Sequence, residues 1–138
     1  MLKQISIVAE NKAGVVHAIM DTLAKAQINV RALTIAENAD YGVVRLIVNE
    51  PEKARNALSE FDARIAQVIG VTIPDKFGAF CDVVKILSEN DINIEYSYSL
   101  MGCKHGNANI LIRVKDTAKT ADVLTQAGIK LFSQEDIT

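Results

Sequence analysis

The sequence predicts an α+β fold made of two copies of one strand–helix–strand–strand–helix–strand unit. Three observations carry that reading. The turn Asn11-Lys12-Ala13-Gly14 follows an apolar run, Ile5 to Ala9, and launches a helical pattern. It returns as Asp75-Lys76-Phe77-Gly78 after Ile69 to Ile73, with Gly14 and Gly78 standing 64 positions apart. The tripeptide Ile28-Asn29-Val30 returns as Ile92-Asn93-Ile94 at the same offset. A repeat of this length is the dominant organising feature.

Composition agrees with a globular chain. Of 138 residues, 49% are apolar and 23% charged. Formal net charge is −2, with acids and bases dispersed. That balance lacks the basic footprint of a nucleic-acid binder and argues against a membrane-surface helix. No run of 18 apolar residues exists, so no membrane-spanning helix is expected. The N-terminus enters a strand pattern directly, with no signal-peptide core. Two cysteines, Cys81 and Cys103, make no disulfide framework, and a reduced cytoplasmic protein is expected.

In the first unit, Lys3 to Glu10 reads as a strand with Ile5, Ile7 and Ala9 on one face and Val8 on the other. Asn11 is the expected helix cap. The helix from Gly14 to Gln27 carries an apolar stripe of Val15, Val16, Ile19, Met20, Leu23 and Ala24, with His17 on the wet side. Residues 28–48 read as a hairpin turning through Asn38, Asp40 and Gly42. Pro51 stands in the first turn of a second helix, where its missing N–H costs nothing.

No Gly/Ser/Pro-rich linker separates the units. Ala63 to Ile73 must end one and open the next, and is read as one long bent segment with a bulge at Gly70. The expected units are residues 1–66 and 67–138. In the second, Phe80, Val83, Val84 and Leu87 form the helical stripe, and Cys81 beside them is read as a small core or half-buried residue. Tyr96 and Tyr98 share a strand face, Gly106 mirrors Gly42, Asp116 caps the last helix with Ala118, Ala121 and Leu124 inward, and Gly128 ends it. Each unit is then a split βαβ, ferredoxin-like arrangement. The antiparallel sheets are expected side by side, with helices on one face.

These motifs resemble the ACT domain over nearly the whole chain. An opening strand, an Asp/Asn-Lys/Arg-x-Gly turn, a helix and an Ile-Asn-Ile/Val strand start occur twice. The resemblance implies a stand-alone, tandem amino-acid-binding regulatory protein, with the ligand at an interface between units. The turn of one unit would meet the strand start of its neighbour. By position, the implied ligand-binding residues are Asn11, Lys12, Ala13, Gly14 and Val15 with Asn29 and Val30. In the second unit they are Asp75, Lys76, Phe77, Gly78 and Ala79 with Asn93 and Ile94. The family often has proline before the glycine; Ala13 and Phe77 depart from that, so the two sites are not expected to be equivalent. An amino acid is the expected small-molecule partner, a metabolic enzyme the expected protein partner, and a homodimer the expected assembly.

Elementary chemistry agrees with that use. A helix N-terminus suits a carboxylate, Asp75 suits an ammonium group, and an asparagine amide both donates and accepts. The plainer readings are that Asn11 and Asp75 only cap helices, and that Asn29 and Asn93 only turn the chain. Stacking of Tyr96 and Tyr98 on a ligand competes with packing at an interface. No catalytic motif, cofactor site or metal site is expected. Cys103-Lys104-His105 offers two donors, short of the four that structural zinc takes. The alternative function is a ligand-free interaction module docking on a metabolic enzyme. A small enzyme using His17 or His105 ranks third.

Overall fold

The opening strand sets the pattern for the rest. The computed structural model describes residues 1–38 and 40–138. Strand β1, Leu2–Glu10, buries Ile5 and Ile7 while Val8 between its neighbours stays 68% exposed. This is the two-residue period of a strand with one face on a core. Gln4 is fully buried, and its Nε2 donates to Ser6 Oγ. Then follow α1 (Val15–Lys25), β2 (Val30–Glu37), β3 (Tyr41–Val48), and α2 (Pro51–Ala57) with a 3-10 turn at Ser59–Phe61. Strand β4 covers Arg64–Pro74. The second half has α3 (Ala79–Glu89), β5 (Tyr96–Ser99), β6 (Asn107–Arg113), α4 (Thr117–Gln126), β7 (Lys130–Phe132) and a 3-10 turn at Gln134–Ile137.

The chain divides into two compact units, and the division falls inside β4. One is Lys3–Ala66 with Ile137–Thr138; the other is Gln67–Asp136 with Met1–Leu2. In the first, β3 pairs antiparallel with both β1 and β2, placing Leu46 opposite Ile5 and Leu33. The β2 register shifts between Val30 and Ala32, so Arg31 is the extra residue of a bulge. Ile19 and Leu23 of α1 and Ala54 of α2 pack in one core with Ile5, Ile7, Val44 and Leu46, so both helices cover one face. In the second unit the strand order is β7-β4-β6-β5, all pairs antiparallel. Val83 and Leu87 of α3 and Leu124 of α4 pack with Ile69, Val71 and Ile112. Fully burying each such side chain contributes roughly 1.5–3 kcal/mol. This is the split βαβ order that the sequence predicts.

Several local expectations need correction. Gly70 is not a bulge: the pairing runs unbroken through Ile69↔Ile112, Gly70↔Leu111 and Val71↔Ile110. The glycine is needed because a Cβ there would stand 2.6 Å from the Phe132 ring. Phe80 and Val84 face outward at 37% and 39% exposure, while Ala79, Val83 and Leu87 are buried. Residues four apart stay in line on a helix, and a shift of one rotates the side chain by about 100°. The buried stripe is therefore narrower than the run of apolar residues. Ala24 and Ala118 lie outside their stripes, and Cys81 on α3 is exposed. Ile92 and Ile94 are not in a strand; β5 begins at Tyr96.

Gly106 does not occupy Gly42's place. The pairs Ile5↔Leu46 and Ile69↔Ile112 put Leu46 and Ile112 in matching positions, 66 residues apart rather than 64. The second hairpin is two residues longer. Gly106 therefore matches Asp40, while Gly42 lies inside β3 without a positive φ.

Candidate functional site

The two turns share one backbone design. In the first, the Asn11 N–H donates to Asp40 O at 3.1 Å, Lys12 N–H to Glu10 O at 3.0 Å and Val15 N–H to Lys12 O at 3.5 Å. In the second, Asp75 N–H donates to Gly106 O at 2.9 Å, Lys76 N–H to Pro74 O at 3.0 Å and Ala79 N–H to Lys76 O at 3.3 Å. Gly14 and Gly78 occupy the helix-cap positions with φ of 92° and 83°. Only glycine adopts that conformation without cost. Neither helix start receives a side-chain cap, so Asn11 and Asp75 are not the caps that the plainer reading expected.

Their side chains do different things. Asn11 Nδ2 donates to Glu37 Oε2 at 2.8 Å, and Lys12 Nζ pairs with Glu10 at 3.0 Å. An open cleft of about 410 Å³ lies here, lined by Glu10, Asn11, Lys12, Asp40 and Tyr41. In the second turn, the side chains of Asp75 and Lys76 have no ion pair among the described residues. Phe77 is fully exposed and covers nothing in its own unit, whereas Ala79 is buried and Val15 half-buried.

The strand starts lie elsewhere. Glu10 at the end of β1 pairs with Tyr41, whereas Val30 at the start of β2 pairs with Val48 at the far end of β3. The two positions are separated by the length of β3, roughly 20 Å at a strand rise of about 3.3 Å. Asn11–Gly14 and Asn29–Val30 therefore sit at opposite ends of the same sheet, as do Asp75–Gly78 and Asn93–Ile94 in the second unit. One unit cannot bring its own turn and its own strand start together.

At the first strand start, Asn29 N–H donates to Asn49 Oδ1 at 2.9 Å and Asn49 N–H donates to Asn29 O at 3.1 Å. At the second, Asn93 has no comparable bond among the described residues. An open cleft of about 710 Å³ adjoins it, bounded also by Asp91, Glu95, Lys115, Lys119 and the start of α4. Sequence reasoning missed Asn49, Lys115 and this cleft. The usable signal was the spacing of the final helices: Pro51 and Thr117, which open α2 and α4, stand 66 apart.

Tyr96 and Tyr98 stack on each other with ring centroids 6.4 Å apart and are half-buried. His17 is exposed. Cys103 Sγ donates to Asn107 O at 2.8 Å in the exposed β5–β6 loop. Among the described residues, no three His, Cys, Asp or Glu side chains gather as metal ligands, and no helix is long and apolar enough to cross a membrane.

A family model described as an ACT domain pair matches residues 1–138. The chain belongs to the ACT domain pair family. Among solved structures, this ACT domain pair is similar to protein BT0572 from Bacteroides thetaiotaomicron, at 39% identity and a TM-score of 0.91, over 99% of this chain and 94% of that one. It also resembles the ligand-free regulatory subunit of aspartate kinase from Thermus thermophilus, at 16% identity and a TM-score of 0.64, over 91% of this chain and 92% of that one. The corresponding subunit from Thermus flavus matches at 14% identity and a TM-score of 0.62, over 92% and 91%. At those identities the likeness to the kinase subunits is one of fold. Comparison with curated protein sequences finds no match.

Proposed function

We propose that this ACT domain pair binds a free amino acid and serves as a regulatory module of a cytoplasmic metabolic enzyme, not as an enzyme itself. The observation that carries the reading is the turn repeated at Asn11–Gly14 and Asp75–Gly78, with the same three backbone hydrogen bonds and no side chain over either helix start. Such a helix start favours a carboxylate, through its N–H groups and the positive end of the dipole. Residues 11–15 and 75–79, with Asn29, Val30, Asn93 and Ile94, form the proposed site. Since one unit holds its turn and strand start apart, the second half comes from another copy of the unit. The regulated surface and a homodimeric assembly belong to the same proposal, as do the unit limits 1–66 and 67–138.

Thermal unfolding against each of the twenty amino acids at millimolar concentration tests it. Binding to the native state alone adds about 2.7 kcal/mol at a hundredfold excess over Kd. A rise in Tm with one or two amino acids supports the reading, and no rise with any of them overturns it. The double variant Gly14→Val, Gly78→Val then loses the rise.

The second reading, an interaction module without ligand, draws on Phe77, Phe80 and Val84. Phe80 and Val84 lie exposed on α3, four residues apart, and Phe77 is exposed in the turn that precedes it. Under it, the glycine variants alter stability alone.

A further inference from the structure

The two strand starts are built to different ends. Residues before the hairpins correspond at an offset of 64 and those after them at 66. Lys115 therefore stands where the first unit has Asn49, Asp91 where it has Gln27, and Glu95 where it has Arg31. Gln27 and Asp91 share the same left-handed backbone, with φ of 58° and 56°, so the match is structural as well as numerical.

In the first unit, the Asn49 side chain takes the Asn29 N–H, and a buried Pro51 opens the helix behind it. In the second, Lys115 makes no such bond, Asn93 is left without a partner among the described residues, and the cleft beside it is open. Three acids, Asp91, Glu95 and Asp116, and two lysines, Lys115 and Lys119, line that cleft; Asp116 is engaged in capping α4, and none of the five forms an ion pair among the described residues. Acids and lysines that line one cleft without pairing suit a ligand bearing both charges. The first unit has no acid at the positions of Asp91 and Glu95, where Gln27 and Arg31 stand.

We infer that the Asn93 cleft is the working amino-acid site and the Asn29 strand start is not. The α-ammonium group lies toward Asp91 and Glu95, and the α-carboxylate toward Lys115 and Lys119, where the helix start of a turn from another copy of the unit also meets it. The Asn93 amide bonds the carboxylate. This rests on the amino-acid reading above and adds which strand start works and how it recognises the zwitterion. An exposed ion pair contributes little by itself; here several contacts converge on one small molecule.

Calorimetric titration of the intact chain with each of the twenty amino acids tests it, alongside Lys115→Asn, Glu95→Arg, Lys115→Arg and Asn49→Ala. The expected result is one amino acid bound per chain. Lys115→Asn and Glu95→Arg, which copy the first unit into the second, should weaken it roughly tenfold or more, as loss of a charge-assisted hydrogen bond does. Lys115→Arg and Asn49→Ala should keep it. The first two changes are at exposed positions, and thermal unfolding verifies that each variant is folded. Binding of two per chain, or full affinity in both Lys115→Asn and Glu95→Arg, overturns the inference while the amino-acid reading stands. Absence of binding by all twenty to the unaltered chain overturns both.

Discussion

Phe132 on β7 lies directly opposite Gly70 on β4, and its ring occupies the space where a side chain on Gly70 would begin. Three ring carbons lie 2.6–2.7 Å from the position of an added Cβ. Both residues are buried, so neither has an easy route to move aside. Gly70→Ala should destabilise the chain by about 1–3 kcal/mol, the usual range for overpacking a core. Chemical denaturation measures it. Adding Phe132→Leu should recover part of the loss, giving a double variant less destabilised than the sum of the singles. Additive effects would show that the ring is not what excludes the methyl group.

Gly14 and Gly78 present the opposite case. A Cβ on either meets nothing within 4 Å, so any cost comes from φ alone. Gly14→Ala should lower stability by about 1–2 kcal/mol, as the left-handed region does for ordinary residues. Gly14→Asn should lower it less, because asparagine tolerates that region better. Denaturant midpoints for the two variants give the order, and an equal loss would discard the backbone explanation.

Asp116 is a side-chain cap where α1 and α3 have none. Its Oδ1 accepts from the Lys119 N–H at 3.0 Å at the start of α4. Asp116→Ala should cost about 1 kcal/mol, and Asp116→Asn much less, since asparagine caps nearly as well. Equilibrium unfolding of the pair checks both. Asp116 also borders the cleft beside Asn93, so a change in amino-acid affinity is read separately from stability.

Acid should release the C-terminal turn. The Ser133 N–H, donating to Asp136 Oδ2 at 2.7 Å, holds that carboxyl below the usual carboxylate range, with the Ser133 hydroxyl adding to it. A carboxyl with a lowered folded pKa favours folding above its unfolded pKa. The gain is lost as pH falls through the folded value. The Tm of the native chain should exceed that of Asp136→Asn at neutral pH, and the gap should narrow as pH falls below about 4. A gap independent of pH would assign the effect to packing instead of charge.

Local pattern made much of this legible in the sequence. The alternation in β1, the αL glycines and the paired Ile-Asn dipeptides are set by residues close together in the chain, and they identify the unit and its repetition. The same signals gave the turn half of the candidate site. They could not show that Asn11 would bond Glu37 and leave the cap to Gly14, because Asn11 and Glu37 are brought together by the pairing of β1 and β2 with β3.

The sequence by itself determined the repeated βαββαβ plan, the family and the two candidate turns. Those depend on short-range periodicity and on residue types that fix backbone angles. The tertiary structure decided what sequence spacing concealed. Strand pairing moved the offset from 64 to 66 across the second hairpin, and so matched Asn49 with Lys115. It put each turn and its own strand start at opposite ends of a sheet, and it set Phe132 against Gly70. Each is a relation between residues distant in the chain. Register fixes such relations, and register follows from which apolar faces are buried together.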